Sequence, residues 1–142
     1  MGKKIKIYTD GGSRGNPGIA GVGIYIEDAA GKEIYHEAKF LGTKTNNEAE
    51  YLAFLEALNF LLRYEIKNPG LIESAEFFLD SKLVVEQISR RWKIKKAELR
   101  ELAEAAWKNL SSLPYPTSIK HLLRENNKIA DQLANEAMDR AC

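Results

Sequence analysis

Polar and apolar residues alternate at the start of the chain. Residues 4–9 read Lys-Ile-Lys-Ile-Tyr-Thr, the period of a half-buried strand. Gly11-Gly12-Ser13-Arg14-Gly15-Asn16-Pro17-Gly18 is a turn or loop by composition. Residues 20–28 form a second strand, 29–32 a tight connection and 33–41 a third strand, an antiparallel meander. From Thr45 the period lengthens. Thr45 or Asn46 caps a helix running to about Tyr64, and Lys67-Asn68-Pro69-Gly70 breaks it. Residues 75–79 make a short buried strand. Ser81 caps a helix over 82–90, and another follows over 97–111, ended near Pro114 and Pro116. A last strand covers 118–123, and Asn126 or Asn127 opens a final helix to about Arg140.

The order β-β-β-α-β-α-α-β-α predicts an α/β fold, a mixed sheet with helices on both faces. A length of 142 residues predicts one domain, 1–142, large enough for one core. With 44% hydrophobic and 29% charged residues, the chain has globular composition. No apolar run approaches the length of a membrane span, so no membrane partner is expected. Met1-Gly2-Lys3-Lys4 leads into a strand without a signal-peptide core. The one cysteine, Cys142, leaves no internal disulfide and argues against structural zinc. A cytoplasmic setting is the expectation.

The net charge of +1 hides an uneven distribution. Arg90, Arg91, Lys93, Lys95, Lys96 and Arg100 surround Trp92, against the single acid Glu98. Basic residues around an aromatic suit a nucleic-acid backbone. The plainer reading is a solvated helix end whose Trp packs inward.

Four acids sit where folding alone gives them little reason to be. Asp10 ends the first strand, and Asp80 ends the apolar run Phe77-Phe78-Leu79. Function in such sheets gathers at the carboxyl ends of strands. On the long helix, residues turn by about 100° each. Glu48, Glu56, Asn59 and Arg63 then share one sector, the solvent face. Glu50 lies opposite, with Ala53, Phe54, Ala57 and Leu61, and points at the sheet. Glu48 is read as a solvated first-turn acid suited to the helix dipole. Asp131 lies on the side of the last helix that carries Ala134 and Met138. Each acid has a plainer explanation: turn capping for Asp10 and Asp80, the dipole for Asp131, backbone partners for Glu50. Four converging carboxylates would hold hard divalent cations, and such sites cut phosphodiesters.

The glycine-rich segment matches neither a dinucleotide nor a phosphate-loop pattern, and it leads to a strand. Close backbone approach to a polymeric substrate suits it, with Asn16 bonding a phosphate or sugar; a plain turn is the alternative. His36 and His121 have no ligand partners at useful spacing, no nucleophile elbow is present, and Trp107 is read as core.

Four segments together resemble type 1 ribonuclease H. These are Tyr8-Thr9-Asp10-Gly11-Gly12-Ser13-Arg14-Gly15-Asn16-Pro17-Gly18, Thr45-Asn46-Asn47-Glu48-Ala49-Glu50, Leu79-Asp80-Ser81 and Asn127-Lys128-Ile129-Ala130-Asp131. The resemblance implies a five-stranded sheet in order 3-2-1-4-5, its second strand antiparallel to the rest. It implies cleavage of the RNA strand of RNA/DNA hybrids, leaving 5′-phosphate and 3′-hydroxyl ends; a monomer is the expectation for the assembly. Asp10, Glu50, Asp80 and Asp131 would hold two Mg²⁺ or Mn²⁺ ions. Gly12, Asn16, Thr45 and Asn47 would contact the hybrid backbone, and Trp92, Lys93 and Lys95 would add to the grip. Three departures stand out, one of them Lys82, which follows Asp80-Ser81 where many relatives have a polar amide. Arg124 takes the place nearest a loop histidine of better-known members, and arginine cannot shuttle protons. The basic handle is missing, because Arg91-Trp92-Lys93-Ile94-Lys95 runs almost directly into the next helix. Two alternatives are an enzyme that also cleaves double-stranded RNA and a non-catalytic nucleic-acid-binding module. Against the module, four intact acids would repel a phosphate backbone without metal.

Overall fold

The computed structural model describes residues 2–140; Cys142 lies outside the described residues. Five strands form one sheet: β1 (Lys3–Gly15), β2 (Gly18–Asp28), β3 (Glu33–Lys44), β4 (Ile72–Leu79) and β5 (Thr117–His121). The helices are α1 (Asn46–Lys67), α2 (Lys82–Ile88), α3 (Ala97–Ser112) and α4 (Lys128–Asp139), with a single 3-10 turn at Arg124–Asn126. The strand order is β3-β2-β1-β4-β5. β2 runs antiparallel to β1 and β3, while β1, β4 and β5 are parallel. The expected class, order and directions all hold.

One expectation is overturned. The glycine-rich segment is not a loop as far as Gly15: β1 continues through it, paired with β2 from Gly11↔Val22 to Gly15↔Gly18. Composition favours a turn locally, but ladder hydrogen bonds to β2 satisfy this backbone better. The strand also needs its glycines for packing. A Cβ on Gly11 would lie 2.0 Å from the Ala49 carbonyl oxygen of α1.

One face of the sheet carries the main core. Ile5, Ile7, Ile24, Ile26, Phe77 and Leu79 meet Tyr51, Phe54, Leu58 and Leu61 of α1, with α3 packed behind through Leu99, Ala103 and Ala106. Phe54 meets Phe77 edge-on at 5.0 Å. Each such side chain contributes about 1.5–3 kcal/mol by burial, so Phe54→Ala would remove about 3–5 kcal/mol. α4 covers the other face, and it comes close because β2 is thin there. A Cβ on Gly23 would lie 2.1 Å from the Ala130 oxygen, and one on Gly21 would lie 2.9 Å from the Ala134 oxygen.

Local chemistry sets the helix ends. Thr45 caps α1, its hydroxyl accepting from the Glu48 amide while Glu48 accepts from the Thr45 amide. Glu48 is therefore more than a solvated acid. It closes a capping box, and the Thr45 hydrogen bond holds its carboxyl below the ordinary range. Ser81 caps α2 through the Val84 amide at 3.3 Å. Among the described residues, no helix is long and apolar enough to cross a membrane.

Candidate active site

The β1–β4 ladder ends at Thr9↔Leu79. Asp10 and Asp80 are the next residue on each chain, so the parallel register delivers them side by side. Asp10 also pairs with Gly23 across β2. Side chains of directly paired residues share a face, and on this face Gly23 leaves room for α4. Gly11, on the opposite face, leaves room for the start of α1. Glu50 reaches in from that helix and accepts a 2.9 Å hydrogen bond from the Gly11 amide. The two glycines let α1 and α4 close on Asp10 from either side.

Ligand oxygens of Asp10, Glu50 and Asp80 lie within 4.8 Å of one another. Asp10 is only 6% exposed. Burial first, then the charges of Glu50 and Asp80, push its carboxyl far above the ordinary range. Burial and Asp80 also raise Glu50, against the opposing pull of the Gly11 amide and Arg124. Both shifts express the same conflict: acids crowded in low dielectric resist ionising together. A divalent cation removes that conflict, and an all-carboxylate donor set suits a hard one.

Asp131 stands outside the group of three but lines the same cleft, about 450 Å³ in volume, with Asp10, Glu50, Asp80 and Arg124. It lies in the first turn of α4. Its carboxylate accepts from the Arg124 guanidinium at 3.3 Å, which strengthens the hold of Arg124 on its proton. Sequence reasoning missed the residue that sets this corner. Asn127 is 1% exposed. Its side-chain amide donates to the Thr9 carbonyl at 2.9 Å and to Asp80 at 3.3 Å. It thus joins the ends of β1 and β4 to the start of α4, while its own Oδ1 is buried without a partner. Only a small polar residue before the last helix hinted at it.

The expected substrate contacts are scattered. Gly12 lines the cleft, and so does Asn46, which sequence reasoning passed over in favour of Asn47. The Asn16 side-chain Oδ1 accepts from the Asn46 backbone amide at 3.0 Å. The Thr45 hydroxyl is engaged in the helix cap. Trp92 and Lys93 line a separate hollow of about 250 Å³ with Gln87, Arg90, Arg100 and Trp107. Lys95 is exposed and does not line it. Trp107 is only partly buried. Its ring nitrogen donates to the Ile88 carbonyl at 2.9 Å, and the Arg90 guanidinium lies 3.8 Å above the ring. Trp107 therefore supports a cation as well as packing. Gln87, also unforeseen, accepts from the Tyr51 hydroxyl at 2.6 Å and donates to the Lys93 carbonyl at 3.1 Å, which ties the basic segment to α1.

The sequence pattern of the family described as "Reverse transcriptase-like" matches residues 8–137. The chain is 41% identical over 139 residues to "Bifunctional protein Rv2228c" of Mycobacterium tuberculosis, covering 97% of this chain and 36% of that protein. It thus spans about a third of the length of that relative. "Ribonuclease HI" of Halobacterium salinarum is 35% identical, with 99% of this chain and 67% of that protein covered. Among solved structures, LC11-RNase H1 in complex with an RNA/DNA hybrid superposes with a TM-score of 0.88 at 36% identity. The match covers 96% of this chain and 98% of that one.

Proposed function

From the premise that this chain belongs to the type 1 ribonuclease H family, we propose that it hydrolyses the RNA strand of RNA/DNA hybrids. The observation that carries this reading is the convergence of Asp10, Glu50 and Asp80 from three different elements, with ligand atoms within 4.8 Å. A purely structural role would not bring three acids into one partly dry site. The solved hybrid complex of LC11-RNase H1 supports the choice of substrate.

Asp10, Glu50 and Asp80 would hold divalent cations, Mg²⁺ or Mn²⁺, and Asp131 would complete a site for two. What ions held there would supply is an activated water and charge stabilisation of the leaving oxygen. The chain's own residues do the rest. The Gly11 amide keeps Glu50 turned toward Asp10. Asn127 fixes Asp80 against the end of β1. Arg124, exposed and permanently charged, attracts a phosphate but relays no proton. Gly12 offers backbone to the hybrid, and Asn16, Thr45 and Asn47 contact it beside the cleft. Trp92, Lys93 and Lys95 grip the duplex farther out. Water attack at the phosphorus, with the 3′ oxygen leaving, gives 5′-phosphate and 3′-hydroxyl ends.

The test is one labelled RNA strand, offered single-stranded, paired with DNA and paired with RNA, with Mg²⁺, Mn²⁺ or EDTA. Metal-dependent cutting of the hybrid is the expected result. Cutting of the RNA duplex as well would widen the substrate class. No cutting with either metal would overturn the reading in favour of a binding module.

A further inference from the structure

Arg14 has no part in the chemistry above, yet it stands at the cleft. It is the penultimate residue of β1, on the same face as Asp10, and lines the cleft with the carboxylates. Among the described residues, Arg14 and Arg124 are the cations of that lining. Each is tied to α4. Arg124 meets Asp131 in the first turn at 3.3 Å, and Arg14 meets Asp139 at the end of the helix at 2.6 Å. The Arg14 guanidinium also reaches the backbone and side-chain oxygens of Asn135, at 3.4 Å each. Eight helical steps separate Asp131 from Asp139, about 12 Å. Four strand steps separate Asp10 from Arg14, about 13 Å. The acidic partners of the two arginines therefore lie toward opposite ends of α4.

We infer that Arg14 is a substrate-binding residue whose guanidinium holds a backbone phosphate of the hybrid at the rim of the cleft, and that Asp139 holds it ready in the free protein. This rests on the hybrid-cleaving reading. A guanidinium offers phosphate a planar two-point contact, which a lysine does not. The Arg14–Asp139 pair is 44% and 65% exposed. An ion pair so wet is easily exchanged for a phosphate. The tether costs little to leave but keeps the long side chain ordered at the rim, so less freedom is lost when substrate arrives. The competing explanation is a structural staple that joins the β1–β2 hairpin to the end of α4.

Hybrid cleavage kinetics of the full chain over a series of salt concentrations, together with thermal melting, separate the two. Arg14→Ala should raise KM about three- to tenfold, more than it lowers kcat. It should also flatten the slope of log KM against log salt by about one. Arg14→Lys should fall between Arg14→Ala and the parent. Asp139→Asn should lower KM about twofold, because it releases the guanidinium, and this gain should vanish when Arg14→Ala is added. If Arg14→Ala and Asp139→Asn both lower the melting temperature and neither moves KM, Arg14 is a staple and the inference falls while the hybrid reading stands. If the unaltered chain does not cut the hybrid, that reading fails and the phosphate assignment goes with it.

Discussion

The carboxylate cleft and the basic segment between α2 and α3 handle charge in opposite ways. The cleft gathers acids from β1, α1, the end of β4 and α4, far apart in sequence. The basic segment is nearly continuous, from Arg90 to Arg100, and mostly exposed. Like charges in a buried site repel strongly, so the cleft needs rigid scaffolding: a strand register, two glycine contacts and the Asn127 bridge. The basic segment lies mostly in water, where like charges are screened. Three anchors suffice there, namely Gln87 under Lys93, Glu86 on Arg91 and Trp107 under Arg90. Arg90 even adopts a left-handed backbone, with φ of 64°. Positioning a reaction demands convergence, whereas attracting a polyanion demands only local density of charge.

Substitutions should reveal this contrast, most strongly in the cleft. Asp10→Asn should lower hybrid cleavage by at least about 10³-fold. It should also raise metal-free stability by about 1 kcal/mol or more, because it removes a buried acid whose ionisation is unfavourable. Single-turnover kinetics and urea unfolding measure the two effects, and an active Asp10→Asn protein would break the contrast. Glu50→Gln should cost about 10²-fold in rate, while Glu48→Gln should change the rate little, since glutamine also closes a capping box. The reverse result would mean that the helix face has been misjudged. Gly23→Ala should remove about 3 kcal/mol, because its Cβ would meet the Ala130 oxygen at 2.1 Å; chemical denaturation reads this directly.

Stability against pH sharpens the same point. Burial, with the neighbouring acids, holds the folded carboxyls of Asp10 and Glu50 well above the ordinary carboxylate range. Above that range the metal-free folded protein binds more protons than the unfolded chain. Its stability should therefore fall as pH rises from about 5 to 9. Urea unfolding in EDTA at pH 5, 7 and 9 checks the sign, and Mg²⁺ should remove most of the slope. The smallest effect belongs to the basic segment. Lys93→Ala should raise KM about two- to threefold at low salt and lose its effect at high salt.

Legibility in the sequence followed the same division. Asp10 and Asp80 could be read from the strand-like runs that precede them, and Glu50 from the helix face it shares with Phe54 and Leu61. The basic segment could be read from composition. The continuation of β1 to Gly15 could not, because glycines suggest a turn until β2 and α1 supply their contacts. Nor could Asn127, whose value lies in reaching Thr9 and Asp80, both distant in sequence.

By itself, then, the sequence determined the elements, their order and the acids worth suspecting. Periodicity and capping depend on neighbours within a few positions. The tertiary structure alone decided that three of those acids share one point, that Asp131 pairs with Arg124 in the same cleft, and that Arg14 faces Asp139. These are set by strand register and by how closely helices approach a sheet, and both depend on contacts between residues far apart along the chain.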